Sequence, residues 1–455
     1  MTGAGSVCKR LFARVDLVLS GTVLAFGAAV LGPLAVAMRI ARPSDRRKPG
    51  DPRRILYLGT GQIAQVFPRN GVNLFLEREC SDFAGYFEQM WNVHFPAGTR
   101  GALDLTPRHH LIDFDVSPPA PVRKLRRTAM ALREIVFLTW LVPFARRHRI
   151  SVVTATNPYL QGFNAALVGM LLGIPYAVIV TRNYDWDWDA FGKLAFPSVF
   201  PSRRLEKRVE RWVFKRAALV LADRQYYRDY AVRNGAAPAR AVATRVLADP
   251  AYEVARPRHG VRERLKLGPG PILTYVGRLD PDKQAVDLVD CLAQVRKRFP
   301  AAQLACAGVG SLADVMQERA RILGVADGLR LMGTLPLANL AELVASSDIV
   351  VAAHMGYTLV EAGLAGTPIA TYAYDFHGEV LKDGYSGFLV PFGDAAALAE
   401  CVCAALADPG SAAAVGARIR RRLLREHSLK AVVPLYRDAY ERTLSRHSSH
   451  DWAAC

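Results

Sequence analysis

The sequence predicts an α/β protein built from two parallel-sheet domains, and three observations carry that reading. Short apolar runs bounded by turn residues alternate with stretches of helical periodicity along most of the chain, as in a parallel sheet with crossover helices. The length, 455 residues, suits two such domains of roughly 100–200 residues each. The third observation is a strand–helix–strand unit from Asp348 to Val390 whose breakers stand where the turns need them. Ile349 to Ala353 reads as a buried strand, a loop with Gly356 follows, and a helix runs from about Thr358 to Ala365. Gly366 can end that helix in the left-handed conformation, Pro368 prevents its continuation, and Ile369 to Tyr372 is the next strand.

A unit of this kind presents the N–H groups of its helix start to whatever lies beyond the strand ends, which favours an anion. Glu361 stands in the first turn of the helix. Its carboxylate there either accepts hydrogen bonds from a sugar diol or merely complements the helix dipole.

Composition narrows the partners. Half the residues are apolar and 22% are charged, as in a globular enzyme, but the net charge of +18 calls for an anionic partner. Nucleic acid, an acidic lipid surface and phosphorylated ligands all qualify by charge; no nucleic-acid-binding module appears in the sequence. The seven cysteines, Cys8, Cys80, Cys291, Cys306, Cys401, Cys403 and Cys455, are scattered and include no C-x-x-C. That pattern fits reduced thiols and argues against a disulfide framework or a zinc site.

Leu17 to Met38 carries no charged residue, long enough for a transmembrane helix despite Gly21, Gly27, Gly32 and Pro33. Lys9, Arg10 and Arg14 precede it, whereas Arg39, Arg42, Arg46, Arg47, Lys48, Arg53 and Arg54 follow. The excess of positive charge on the C-terminal side places the body of the protein in the cytoplasm. A signal peptide cleaved after Ala35 to Ala37 fits less well, because the apolar stretch is long and its charged flank is on the wrong side. Residues 39–53 are a basic, Pro-containing linker.

The first domain opens with a strand from Ile55 to Leu58 and a Gly59-x-Gly61 turn, the way doubly wound folds begin, with Gly61 a candidate ligand contact. From Val122 to Ile150 an uncharged centre, Ile135 to Ala145, is too short to span a bilayer and reads as a core or interfacial helix. SVVTAT, a helix from about Gly162 to Leu172 and the strand in GIPYAVIVT continue the alternation. In Arg182 to Asp189, Asp185, Asp187 and Asp189 alternate; on a strand they would face one way and suit Mg²⁺, but after a strand the run reads as a loop. Arg203 to Arg216 is a helix with Leu205, Val209, Trp212 and Val213 on one face, turned to the core, and a basic face able to attract anionic lipid. The domain ends near Asp249-Pro250.

A second series starts with the strand Ile272 to Val276 and a turn at Gly277. Arg278 and Lys283 bracket the loop before the next helix, a candidate diphosphate site in which Arg offers a planar fork and Lys a point charge. QLACAGVGS repeats the strand–glycine design with Gly308 and Gly310, and the tail from ALAEC to YERTL is helical.

Taken in order, GRLDPDK (Gly277 to Lys283), AGVGS (Ala307 to Ser311), MGTLP (Met332 to Pro336), LVEAGLAGTPIA and GEVLKDGYSGFLV resemble the retaining family 4 glycosyltransferases of GT-B fold. The resemblance covers most of residues 270–445, while the N-terminal half matches only in its α/β organisation. It implies two Rossmann-like domains facing a central cleft, preceded here by the N-terminal transmembrane helix. The expected divisions are 1–53 for the anchor and linker, 54–252 for the acceptor-side domain, 253–428 for the donor-binding domain and 429–455 for a helix returning to the first domain. It further implies transfer of a sugar, with retention, from a nucleotide-sugar donor to a lipid-linked or envelope-polysaccharide acceptor. Neither metal nor cofactor is expected.

Carried onto this sequence, the resemblance makes Arg278 and Lys283 the holders of the donor diphosphate and the stabilisers of its leaving charge. Glu361 becomes the ribose ligand, and Gly277, Gly356, Tyr357, Thr358 and Leu359 line the turns around the diphosphate. Two departures stand out. Ala353 replaces the first glutamate of the family's pair, which shifts its sugar contact to His354 or removes it. Asn183 replaces a histidine near the reacting sugar and can bond a hydroxyl without acting as acid or base. Both departures also suit a different class, a catalytically weak binding or scaffold subunit of a membrane glycan assembly.

Overall fold

A computed structural model describes residues 52–63, 83, 85–257 and 260–448. The candidate membrane span Leu17–Met38 and most of the basic linker lie outside these residues. The described chain forms two compact units, one from the residues before 245 together with those from 434 onwards, the other from residues 245–433.

The first unit holds strands β1 (Arg54–Gly59), β2 (Gln89–His94), β3 (Gly101–Thr106), β4 (His109–Asp113), β5 (Val152–Ala155), β6 (Tyr176–Val180), β7 (Leu219–Ala222) and β8 (Ala241–Ala243). They form one sheet in the order β3-β4-β2-β1-β5-β6-β7-β8. Every neighbouring pair is parallel except the antiparallel β3–β4 at one edge. The central strands are apolar along their whole length because helices cover both faces, and Ile55, Leu56, Val152, Val153 and Val178 are fully buried. The chain runs outwards from β1 in both directions, so the sheet's topological switch lies between β1 and β5.

Four helices of this unit matter below: α1 (Arg126–Arg147), α2 (Leu160–Leu172), α3 (Tyr184–Phe191) and α4 (Arg203–Arg216). Among the described residues α1 is the one unbroken helix long and apolar enough to cross a membrane, but more than half of its most apolar 18-residue stretch is buried. Phe137, Leu138, Leu141 and Val142 form its inner face. The stretch read as a loop around Asp185 is helix α3 instead. Asn183 caps it, its side-chain oxygen accepting from the N–H groups of Asp185 (3.1 Å) and Trp186 (3.2 Å). Gly192 ends it in the left-handed conformation at φ 61°. In a helix the three aspartates leave the common face that a strand would give them. Asp185 is bound by Arg203 at 2.6 Å and by Asn234 at 2.9 Å, and Asp187 pairs with Arg182.

Helix α4 also departs from its periodicity. It buries Glu206 and Glu210 beside Val213 and Phe214, whereas Leu205 is 41% exposed. The carboxylates are drawn inwards by partners. Glu206 accepts from the Phe196 N–H (3.0 Å) and Arg203 (2.8 Å), and Glu210 accepts from the Tyr159 hydroxyl at 2.8 Å.

The second unit contains β9 (Ile272–Val276), β10 (Gln303–Ala307), β11 (Leu329–Gly333), β12 (Ile349–Ala352), β13 (Ile369–Tyr372) and β14 (Phe388–Val390). All neighbours are parallel, in the order β11-β10-β9-β12-β13-β14. Its switch point lies between β9 and β12, which pair through Leu273–Ile349 and Thr274–Val350. Helix α5 (Thr358–Ala365) follows β12 and ends at Gly366 with φ 86°. The boundary between units falls at Thr244–Arg245, earlier than residue 252. Asp249 caps the short helix Pro250–Val254, and that helix packs on α5. The last helix, α6 (Leu429–Ser448), starts in the second unit and from Pro434 belongs to the first. There Tyr440 meets the Thr154 hydroxyl at 3.0 Å and Tyr436 stacks on Phe83.

Candidate active site

Two glycine turns meet at the carboxyl end of β9. A Cβ on Gly277 would lie 2.6 Å from the Tyr275 hydroxyl, which instead donates to the Arg278 carbonyl at 2.8 Å. A Cβ on Gly308 would lie 1.8 Å from the Gly277 carbonyl oxygen, and one on Gly310 2.3 Å from the Leu279 carbonyl. Only glycine allows the loop after β10 to rest backbone to backbone on the loop after β9. Three N–H bonds lock the pair: Gly277 to Ala307, Leu279 to Val309 and Leu312 to Leu279.

The side chains continue the same construction. Asp280 accepts from the Ser311 N–H at 2.9 Å and its hydroxyl at 3.1 Å. The Ser311 N–H, helped by Arg278, holds the Asp280 carboxyl below its ordinary range. Arg278, whose side chain is 54% exposed, pairs with Asp280 and with Asp282 at 2.7 Å. Its guanidinium is thus presented at the surface by two carboxylates of its own loop. Lys283 closes the 3₁₀ turn Pro281–Lys283, and Gln284 follows in the left-handed region at φ 47°.

The turn after β12 stands beside this loop because β12 is the neighbour of β9. His354 Nδ1 lies 2.9 Å from the Asp282 carbonyl, tying the two turns together. Gly356 has open space where a Cβ would be, and Tyr357 is 39% exposed. Helix α5 begins at Thr358 with no side-chain cap; the Leu359, Val360 and Glu361 N–H groups donate to the carbonyls of Gly356 and Tyr357. Leu359 is fully buried, and Glu361 in the first turn is 5% exposed. Ala353, where a carboxylate was expected, is fully buried. Arg278, Lys283, His354, Gly356 and the start of α5 therefore share the switch point of one sheet, where ligands of open α/β sheets bind. Cations beside the positive end of a helix at one crevice are suited to a diphosphate.

Residues 261–422 match the family described as glycosyl transferases group 1, and residues 96–247 match the glycosyl transferase 4-like domain. Residues 261–422 form a group 1 glycosyl transferase domain. Relatives include a phosphatidyl-myo-inositol mannosyltransferase of Mycobacterium leprae, 35% identical over 30% of this chain and 37% of that one. A glycogen synthase of Mycobacterium tuberculosis is 31% identical over 39% of this chain and 44% of that one. The matches thus span less than half the length of these relatives. Among solved structures, Anabaena HepE in complex with UDP-glucose superposes with a TM-score of 0.66 at 17% identity, covering 86% of this chain and 99% of that one. Sucrose-phosphate synthase of Thermosynechococcus elongatus gives 0.68 at 19%, covering 87% and 100%. These likenesses show the two-domain GT-B fold.

The first unit adds further candidates. Gly61 lies just past β1, and Asn183 just past β6. Asn183 is 5% exposed and its amide is in use at both ends, the oxygen capping α3 and the nitrogen donating to the Tyr226 hydroxyl at 2.8 Å. The structure gives it a helix-capping role. Sequence reading missed a buried pair, His94 and Asp113, at the carboxyl ends of β2 and β4, with Nδ1 and Oδ1 2.8 Å apart. The two residues are 19 positions apart, on strands whose pairing no local pattern reveals.

Proposed function

We propose that this chain transfers a sugar from a nucleotide-sugar donor to a lipid-linked or envelope-polysaccharide acceptor, with retention of configuration. The observation that carries the reading is the convergence of Arg278, Lys283 and the Glu361 helix at one switch point of the second sheet. The donor diphosphate displaces Asp280 and Asp282 from Arg278, and the Arg278 and Lys283 cations hold the charge that grows as the sugar leaves. Glu361 bonds the ribose hydroxyls. With these cations neutralising the diphosphate, the proposed site needs neither metal nor cofactor. UDP-glucose, named with one structural neighbour, and donors of mannose, named by the M. leprae relative, are the first to try.

A membrane-bound acceptor is supported by the +18 charge and by α4, whose Arg204, Leu205, Arg208, Arg211, Lys215 and Arg216 are all exposed. The proposed anchor is Leu17–Met38, with the catalytic body in the cytoplasm. The full chain, purified, is assayed for hydrolysis and transfer with a panel of nucleotide sugars. Arg278→Ala is expected to lower kcat/KM by about 10²–10³-fold. Absence of both turnover and nucleotide binding with every donor overturns the proposal. A second reading, a binding or scaffold subunit, rests on Ala353 and on His354 being engaged with its neighbouring loop. Its mark is nucleotide binding without turnover.

A further inference from the structure

We propose that His94 is an acceptor-binding residue, its Nε2 taking a hydrogen bond from a hydroxyl of the polyol that receives the sugar. The inference rests on the transferase reading and assigns part of the acceptor site to the first unit.

His94 ends β2, the neighbour of β1, and is 2% exposed. Its Nδ1 is 2.8 Å from Asp113 Oδ1. Asp113 also receives the Ile63 N–H, at 3.1 Å on Oδ1 and 2.9 Å on Oδ2, and the Thr99 hydroxyl at 3.3 Å on Oδ2. Donors converge on both oxygens, so Asp113 serves as a carboxylate and requires the proton of His94 on Nδ1. In the neutral ring that arrangement puts the lone pair on Nε2. Among the described residues Nε2 has no hydrogen-bond partner.

The free edge of the ring faces the glycine turn after β1. A Cβ on Gly61 would lie 3.4 Å from His94 Cδ2 and 3.5 Å from Nε2, and one on Gly59 would lie 3.7 Å from Cδ2. The glycines therefore put no side chain of their own against that edge. A lone pair in this setting accepts an O–H and repels phosphate and carboxylate oxygens, so the ligand is a neutral hydroxyl. The turn lies beside the β1–β5 switch point, the ligand-binding position of this sheet.

Three variants of the full chain test the assignment: His94→Gln, Asp113→Asn and Gly61→Ala. The last adds a methyl at ordinary contact distance, so it covers Nε2 without straining the backbone. In ¹⁵N-histidine-labelled protein the His94 Nε2 resonance, identified by its loss in His94→Gln, should be that of an unprotonated nitrogen. It should shift on titration with myo-inositol or methyl α-mannoside and stay unmoved with sulfate; Gly61→Ala should abolish the shift. In transfer assays each variant should raise the acceptor KM by about tenfold or more, a larger change than in the donor KM. A protonated Nε2, no polyol response, or an unchanged acceptor KM in all three variants overturns the inference. Polyol binding at His94 without turnover of any donor would instead sustain it and remove the transferase reading.

Discussion

At the scale of single residues, burial sets the chemistry. Glu134 sits on the inner face of α1 beside Asn164 of α2, and neither carboxyl oxygen has a hydrogen-bond partner among the described residues. Burial pushes its pKa up to about 8, a rise that the Asn164 amide only partly offsets. The unfolded chain loses this proton near 4.5 while the folded chain keeps it to about 8, so stability falls as pH rises through that window. Glu134→Gln, neutral in both states, should match the wild type near pH 4 and exceed it by about 3–5 kcal/mol at pH 8. Urea midpoints at the two pH values check this; an equal gap at both would show that titration of Glu134 is not the cause. Asp280 shows the opposite case. Partly exposed and bonded by an N–H, its carboxyl is held below its ordinary range and pairs with Arg278.

At the scale of elements, the proposed donor site depends on two loops that touch through their backbones. Gly308→Ala would place a methyl 1.8 Å from the Gly277 carbonyl, which neither loop can accommodate without moving. The loop of Arg278 and Lys283 is expected to shift, with nucleoside-diphosphate affinity falling about tenfold or more. Isothermal titration checks this, and an unchanged affinity would mean the two loops are not one structural piece. The second sheet was legible in the sequence because each of its features is local. β9, β12, β13 and the Gly366 cap were all read from apolar runs and breakers. Pairings across strands were not legible. The β3–β4 edge, the His94–Asp113 pair and the choice of β9 and β12 as neighbours arise from topology, which a linear pattern does not encode. Helix α3 escaped because its run directly follows a strand and reads as a loop; α4 was read with its observed bounds, but its buried face was not, because Glu206 and Glu210 are drawn inwards by Arg203, the Phe196 N–H and the Tyr159 hydroxyl.

At the scale of the whole molecule, charge distribution along the chain decides how an anchored enzyme would be oriented. Lys9, Arg10 and Arg14 stand before the uncharged stretch Leu17–Met38, against Arg39, Arg42, Arg46, Arg47, Lys48, Arg53 and Arg54 after it. Positive charge within about 15–20 residues of a span is retained on the cytoplasmic side. The body would then meet its nucleotide-sugar donor in the cytoplasm. The same orientation would turn the basic surface of α4 towards an anionic leaflet, where each Lys or Arg near the surface is worth about 1 kcal/mol. A reporter fused after Arg54 should therefore be active only in a cytoplasmic form. Replacing Arg39, Arg42, Arg46, Arg47 and Lys48 by Gln should shift part of the population to the opposite orientation, because the charge difference is what selects between the two. A reporter found outside the cytoplasm in the unaltered chain would overturn the orientation. A purely cytoplasmic reporter that pellets with no membrane would overturn the anchor itself.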